Sequence, residues 1–195
     1  MAIIRKEAYF TSSTGVDSIR TLIWQDASLE PRALFQIAHG VSEHIGRYDD
    51  FARFLAGNGF IVFGNDHLGH GKSASEEAGL GFTAEKDGHF RFVDDMHILT
   101  GIMKKRFAQL PLILFGHSMG SFCAKVYASV FGEELSGLIL CGTGQIPPSL
   151  DFVAVSAREA AEKFGPRFTS EKILSLSNKF ASLLIPDKED DLDWL

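Results

Sequence analysis

At 195 residues the chain is long enough for one sizeable core, and 45% hydrophobic against 23% charged residues excludes a disordered polymer. A formal net charge of −6 argues against a general nucleic-acid binder, which needs a basic face. Much of that charge is a local acidic run, Asp187 to Asp193, which reads as solvated.

The N-terminus, MAIIRKEAYF, has no apolar signal-like segment, and nowhere do about 18 apolar residues run together. Neither a secretion signal nor a membrane span is therefore expected. Residues 7–13 and 18–25 are β-prone runs around Thr14-Gly15-Val16-Asp17, the pattern of a hairpin. ALFQIAHG, 33–40, is a mostly apolar run ending in glycine and reads as a strand buried on both faces. Tyr48 to Asn58 places Phe51, Phe54 and Leu55 at helical spacing, with Gly57 and Gly59 closing the helix.

FIVFGND, 60–66, is a second buried strand, and a glycine-rich charged loop follows it to about Gly88. Phe92 to Gln109 reads as an amphipathic helix, LPLILFGH as a third buried strand, SMGSFCAKVYASVF as a helix and LSGLILCGTG as a fourth strand. Cys123 and Cys141 lie in these apolar runs and are expected to be small core residues. Without a signal segment they point to a reducing cytoplasm. Pro147-Pro148 break the alternation, and two helical segments are expected after them, 151–164 and 170–183.

Short apolar strands alternating with helices imply βαβ units, a mostly parallel sheet and helices on both of its faces. Ligands of such sheets bind at the carboxyl ends of the strands. His39-Gly40-Val41, Asp66 to Ser73 and Ser118 all fall on that edge.

Gly116-His117-Ser118-Met119-Gly120 matches G-x-S-x-G at the end of a buried strand and the start of a helix, the setting in which this motif has mechanical meaning. The turn is so tight that side chains two residues to either side of the serine would collide, which explains Gly116 and Gly120. Ser118 is the expected nucleophile, held in a strained backbone at the positive end of a helix. The N–H after it, on Met119, is one expected oxyanion donor. The second is the Val41 N–H in the loop HGVSEH, where Gly40 is expected to give freedom to turn.

HGVSEH-x-x-RY (His39 to Tyr48), DHLGHGKS (Asp66 to Ser73) and GHSMG stand in one order, and together they resemble the α/β-hydrolases of the monoacylglycerol lipase and lysophospholipase branch. The resemblance covers most of residues 20–145. It implies an α/β-hydrolase core at 1–146 and the beginning of a helical cap at 147–195. It further implies a cytoplasmic enzyme that cleaves carboxylic esters of single-chain lipids without metal or organic cofactor. His39, Gly69, His70 and Gly71 would then shape loops rather than take part in the chemistry.

In that branch the catalytic aspartate and histidine follow the serine, on strand ends beyond the cap. No histidine follows Ser118 in this chain. The expectation is an N-terminal two-thirds of a hydrolase, inactive alone, with strand 136–142 exposed for self-association or a complementing segment. His117, His39 and His67 are the upstream candidates for a substitute base; His117 neighbours the serine, but adjacent side chains on this turn point apart, and neither His39 nor His67 has an evident carboxylate to orient it.

Other readings are weaker. GHGKS lacks the glycine that a phosphate-binding loop needs five residues before Gly71. Asp66, His67 and His70 have a spacing open to metal, but on a glycine-rich loop. A serine aminopeptidase of the same superfamily would use acids such as Glu159 and Glu162. A lipid-ester enzyme would use the larger apolar set Phe152, Val153, Val155, Leu183, Leu184 and Ile185. A catalytically silent binding module with this fold is the rival from outside enzymology.

Overall fold

A computed structural model describes residues 3–74, 79–84, 87–145 and 151–165, with 167, 168, 170, 171 and 175 beyond them. The chain divides into two compact units, Met1–Thr143 and Gly144–Leu195.

The first unit is a six-stranded sheet with β1 (Ile3–Thr11), β2 (Ser18–Asp26), β3 (Ala33–Ala38), β4 (Phe60–Asn65), β5 (Leu112–His117) and β6 (Gly137–Cys141). Their order across the sheet is β1-β2-β4-β3-β5-β6. β1, β2 and β4 pair antiparallel, whereas β4, β3, β5 and β6 run parallel. Helices α1 (Asp49–Ala56), α2 (Gly88–Arg106) and α3 (Met119–Phe131) connect the parallel strands.

Side-chain alternation along the strands builds a core on each face. Phe35 and Ile37 of β3 and Val62 of β4 join Leu22, Trp24, Ala52 and Ala56 on the α1 face. Leu34, Ile61, Phe63 and Leu112 meet Leu99 and Met103 of α2 on the other. Beside them, Leu114, Met96, Ala124 and Tyr127 tie α2 to α3. β3 is buried along its whole length, as its apolar run implies.

Three expectations need adjustment. β1 begins at Ile3, four residues before the hairpin run, because an edge strand tolerates the exposed Arg5 and Lys6. α2 starts at Gly88, after Asp87 in the left-handed region (φ 55°), and ends at Arg106. Phe107 has left the helix but still packs on the α2 cluster. Cys123 is buried, and burial pushes its thiol up to about 11; Cys141 is exposed, because β6 closes the sheet.

The second unit contains α4 (Asp151–Phe164), on which Val155, Glu159 and Glu162 are exposed. The side chains of Phe152 and Val153, the Pro147-Pro148 break, residues 183–185, the acidic run 187–193 and nearly all of the expected helix 170–183 lie outside the described residues. Among the described residues no helix is long and apolar enough to cross a membrane.

Candidate active site

Ser118 joins β5 to α3 with φ 49° and ψ −117°, a conformation that costs a non-glycine residue on the order of 1–3 kcal/mol. Neighbours hold it there. Its N–H donates to the Cys141 carbonyl at 2.9 Å, and its own carbonyl accepts the Ser121 N–H and Oγ–H at 2.9 and 2.6 Å. A Cβ at Gly116 would lie 2.5 Å from the Gly120 carbonyl oxygen. One at Gly120 would lie 2.6 Å from the His39 carbonyl oxygen and closer still to that of Ala38. Both obstacles are backbone, so the two glycines of the motif are a steric requirement of the turn.

Ser118 is half-buried at the N-cap of α3 and spends no side-chain hydrogen bond on the cap. Met119 is the first helical residue, so its N–H has no acceptor within the helix. The positive end of the helix dipole faces the same point.

The loop after β3 lies directly against this turn. At Gly40 a Cβ would meet Glu43 Oε1 at 2.7 Å, His117 Nδ1 at 3.2 Å and Ser118 Cβ at 3.3 Å. Gly40 has no positive φ. It is there for close approach, rather than for the freedom to turn expected from the sequence. Val41 is 57% exposed, and Ser42 adopts φ 58°.

His39 is fully buried and its tautomer follows from its partners. Nε2 accepts the His67 N–H at 2.9 Å, so Nδ1 carries the proton it donates to the Gly40 carbonyl at 2.7 Å. Burial pushes this imidazole down to about 4. It straps the loop after β3 to the loop after β4 and has no nitrogen left to serve as a base. His67, fully buried 4.2 Å from the His39 ring, has neither ring nitrogen hydrogen-bonded; burial holds it well below the ordinary imidazole range.

In the loop after β4 the organising group is Asp66. Its Oδ1 accepts the Ile45 N–H at 2.8 Å, and its Oδ2 accepts Arg20 Nη1–H at 3.1 Å and the Lys72 N–H at 2.9 Å. Gly71 (φ 49°) packs against this carboxylate, where a Cβ would sit 2.5 Å from Oδ2. Gly69 (φ 74°) abuts the Phe82 backbone. His70 Nδ1–H donates to the Leu68 carbonyl at 3.1 Å. Asp66 is spent on these donors, and among the described residues no cluster of His, Cys, Asp and Glu could hold a metal ion.

His117 does have a carboxylate partner, which sequence reasoning did not identify. Its Nδ1–H donates to Glu43 Oε1 at 3.0 Å. Glu43 is buried and also accepts Tyr48 O–H at 2.8 Å, Arg47 Nη1–H at 2.6 Å and the Gly40 N–H. Burial alone would raise this carboxyl, but the donors, His117 foremost, hold it down at about 2. Among the described residues no histidine is hydrogen-bonded to Ser118. The described residues bring the loop after β3 against the strained Ser118 turn at the start of α3; they do not bring a histidine into hydrogen-bond contact with the serine.

Residues 29–189 match the family described as serine aminopeptidase, S33. The chain is similar to the monoacylglycerol lipase of Mycolicibacterium smegmatis (strain ATCC 700084 / mc(2)155), 34% identical over 133 residues, covering 67% of this chain and 45% of that protein. It is also similar to the monoglyceride lipase of Homo sapiens, 38% identical over 110 residues, covering 56% of this chain and 34% of that one. Among solved structures, a thermostable carboxyl esterase from Bacillus coagulans superposes with a TM-score of 0.85 at 31% identity, covering 100% of this chain and 61% of that chain. The chain thus spans less than half the length of these curated relatives, and the fold is that of the α/β-hydrolases.

Proposed function

The chain belongs to the serine aminopeptidase S33 family, through the match over residues 29–189, and on that footing we propose that it is the nucleophile-bearing part of a serine hydrolase. Its substrates are carboxylic esters of single-chain lipids, of the monoacylglycerol or lysophospholipid type. The observation that carries this reading is the Ser118 turn. A strained serine stands between two glycines that backbone packing demands, at the start of a helix and against the loop that begins at Gly40.

In this mechanism Ser118 Oγ attacks the ester carbonyl, and its proton passes to a histidine that these 195 residues do not supply. The N–H groups of Val41 and Met119 hold the oxyanion of the tetrahedral intermediate. Each such donor contributes about 3–4 kcal/mol to the transition state. The leaving alcohol takes the proton, and water then hydrolyses the acyl-enzyme. These roles complete acyl transfer without metal or organic cofactor. His39, Gly69, His70 and Gly71 keep the loops in place.

Without a base the chain alone turns over little or nothing. Among the described residues β6 ends the sheet, and that edge pairs with a further strand or a second copy; the two free cysteines fit a cytoplasmic protein. Lipid esters are favoured by the names of the lipase and esterase relatives. A peptidase reading has the exposed Glu159 and Glu162 of α4 in its favour.

A diffusible base separates these readings, since added imidazole can take the proton that no residue here accepts. The expected result is imidazole-dependent release of fatty acid from a monoacylglycerol, absent in Ser118→Ala, with no cleavage of a leucine anilide. Activity that survives in Ser118→Ala contradicts the serine mechanism, and preference for the anilide favours the peptidase. No Ser118-dependent turnover of either substrate favours a silent binding module.

A further inference from the structure

Sequence reading gave Glu43 no role, yet its carboxylate touches both halves of the site. We propose that Glu43 is a positioning residue that seats the oxyanion loop on the serine turn, holding the Gly40 N–H on one side and His117 on the other. The proposal rests on the reading of Val41 as an oxyanion donor and explains how that donor is aimed.

Oε1 alone receives three donors, the Gly40 N–H, Tyr48 O–H and His117 Nδ1–H, while Oε2 receives Arg47. Gly40 begins the loop that carries Val41, and His117 immediately precedes Ser118. One buried atom therefore fixes the spacing between the loop and the nucleophile. Spacing matters here because both backbone donors must reach one oxygen, and a misplacement of about 1 Å costs roughly a hundredfold in rate.

Strain points to the same group. Ser42 sits at φ 58° without being glycine, which persists only where surrounding bonds over-determine the backbone. On either side of it the chain is pinned, by Gly40 to Glu43 and by the Ile45 N–H to Asp66 Oδ1. Val41 and Ser42 lie between these pins and are exposed. Gly40 completes the picture, since any Cβ there would displace the carboxylate. The charge is answered by Arg47, so the pin places no unbalanced anion beside the oxyanion.

Glu43→Gln tests this directly. All three donors on Oε1 would meet a weaker, uncharged amide oxygen in place of the carboxylate, and an amide holding its oxygen there turns its NH2 toward the Arg47 guanidinium. By NMR hydrogen exchange, the Gly40 amide is expected to exchange about tenfold faster or more, with shifts at Ser118 and Met119. The Phe35 and Ile37 amides of β3 should keep their rates. Tyr48→Phe leaves the charge and the Gly40 bond in place and should change Gly40 exchange by no more than about twofold. Unchanged exchange at Gly40 in Glu43→Gln overturns the proposal, as does a uniform rise across β3, the mark of general loosening. Equal acceleration in Tyr48→Phe also overturns it. Should Glu43→Gln fail to fold, Glu43→Asp, one methylene short of Gly40, gives the same reading. No reaction is needed, so the outcome is independent of whether Ser118 is the nucleophile.

Discussion

The loops at the carboxyl ends of β3, β4 and β5 and the neighbouring strand β6 are built on opposite plans. The loops are over-determined: Glu43 accepts four donors and Asp66 three, and Gly116 and Gly120 admit no side chain. β6, whose Cys141 carbonyl holds the Ser118 N–H, ends the sheet as an uncharged GLILC segment. Its Leu138 and Ile139 are 39% and 45% exposed. At the far edge, β1 carries Arg5, Lys6 and Glu7, the charges by which edge strands discourage pairing. The contrast teaches that the loops around Ser118 are held by many donors on buried carboxylates, while β6, the last strand of the sheet among the described residues, is uncharged and partly exposed.

Breaking the rigid side should cost most. Gly120→Ala drives a Cβ into the Ala38 and His39 carbonyls, and a loss of more than about 4 kcal/mol is expected, read as insoluble or unfolded protein. Soluble, cooperatively melting Gly120→Ala would mean that the turn is far looser than described. Asp66→Ala takes away one of the two carboxylates on the largely buried Arg20, leaving it Glu7, and strands two backbone donors. About 3–5 kcal/mol should disappear from urea unfolding.

Acid probes the same loops. His39 is pushed down to about 4, and His67 is also depressed. The unfolded chain therefore takes up protons near pH 6.5 that the folded chain refuses. Stability should be intact above pH 6.5 and fall as pH drops, by about 3 kcal/mol at pH 4 from His39 alone. The depressed Glu43 carboxyl adds its own loss as pH falls below about 4.5 toward 2. A urea midpoint that stays flat from pH 7 to 5 would show that these imidazoles are not neutral struts.

Changes on the open side should barely touch folding. Ile139→Lys is expected to alter monomer stability by less than about 1 kcal/mol while weakening association at least about tenfold in light scattering. Lys6→Ala on β1 is the smallest effect, within about 0.5 kcal/mol. If Lys6→Ala alters association as much as Ile139→Lys, the two edges are not different in kind.

Much of this was legible beforehand, and the reasons are physical. β3 and β4 are apolar runs bounded by glycine, and the serine turn announces itself by two glycines at fixed offsets from the end of β5. The start of α2 was harder to place, because Gly88 and His89 form a first turn with no side-chain cap. GLILC alone has the apolar pattern of an interior strand, which puts Cys141 in the core; the exposed edge expected at 136–142 rests instead on the strands that follow in the related hydrolases. Glu43 and Asp66 carry no local sign of the donors they gather. Their meaning lies in partners distant in the chain, His117 and Arg20, which local pattern does not reveal.

The most direct measurement is the intact mass of the protein after exposure to a fluorophosphonate probe without added base. An unmodified mass is predicted, because Ser118 stands in a finished turn and, among the described residues, no histidine is hydrogen-bonded to it. A single adduct mapped to Ser118 would contradict it. That result would place a working proton acceptor inside these 195 residues, with the Glu43–His117 pair the first to examine.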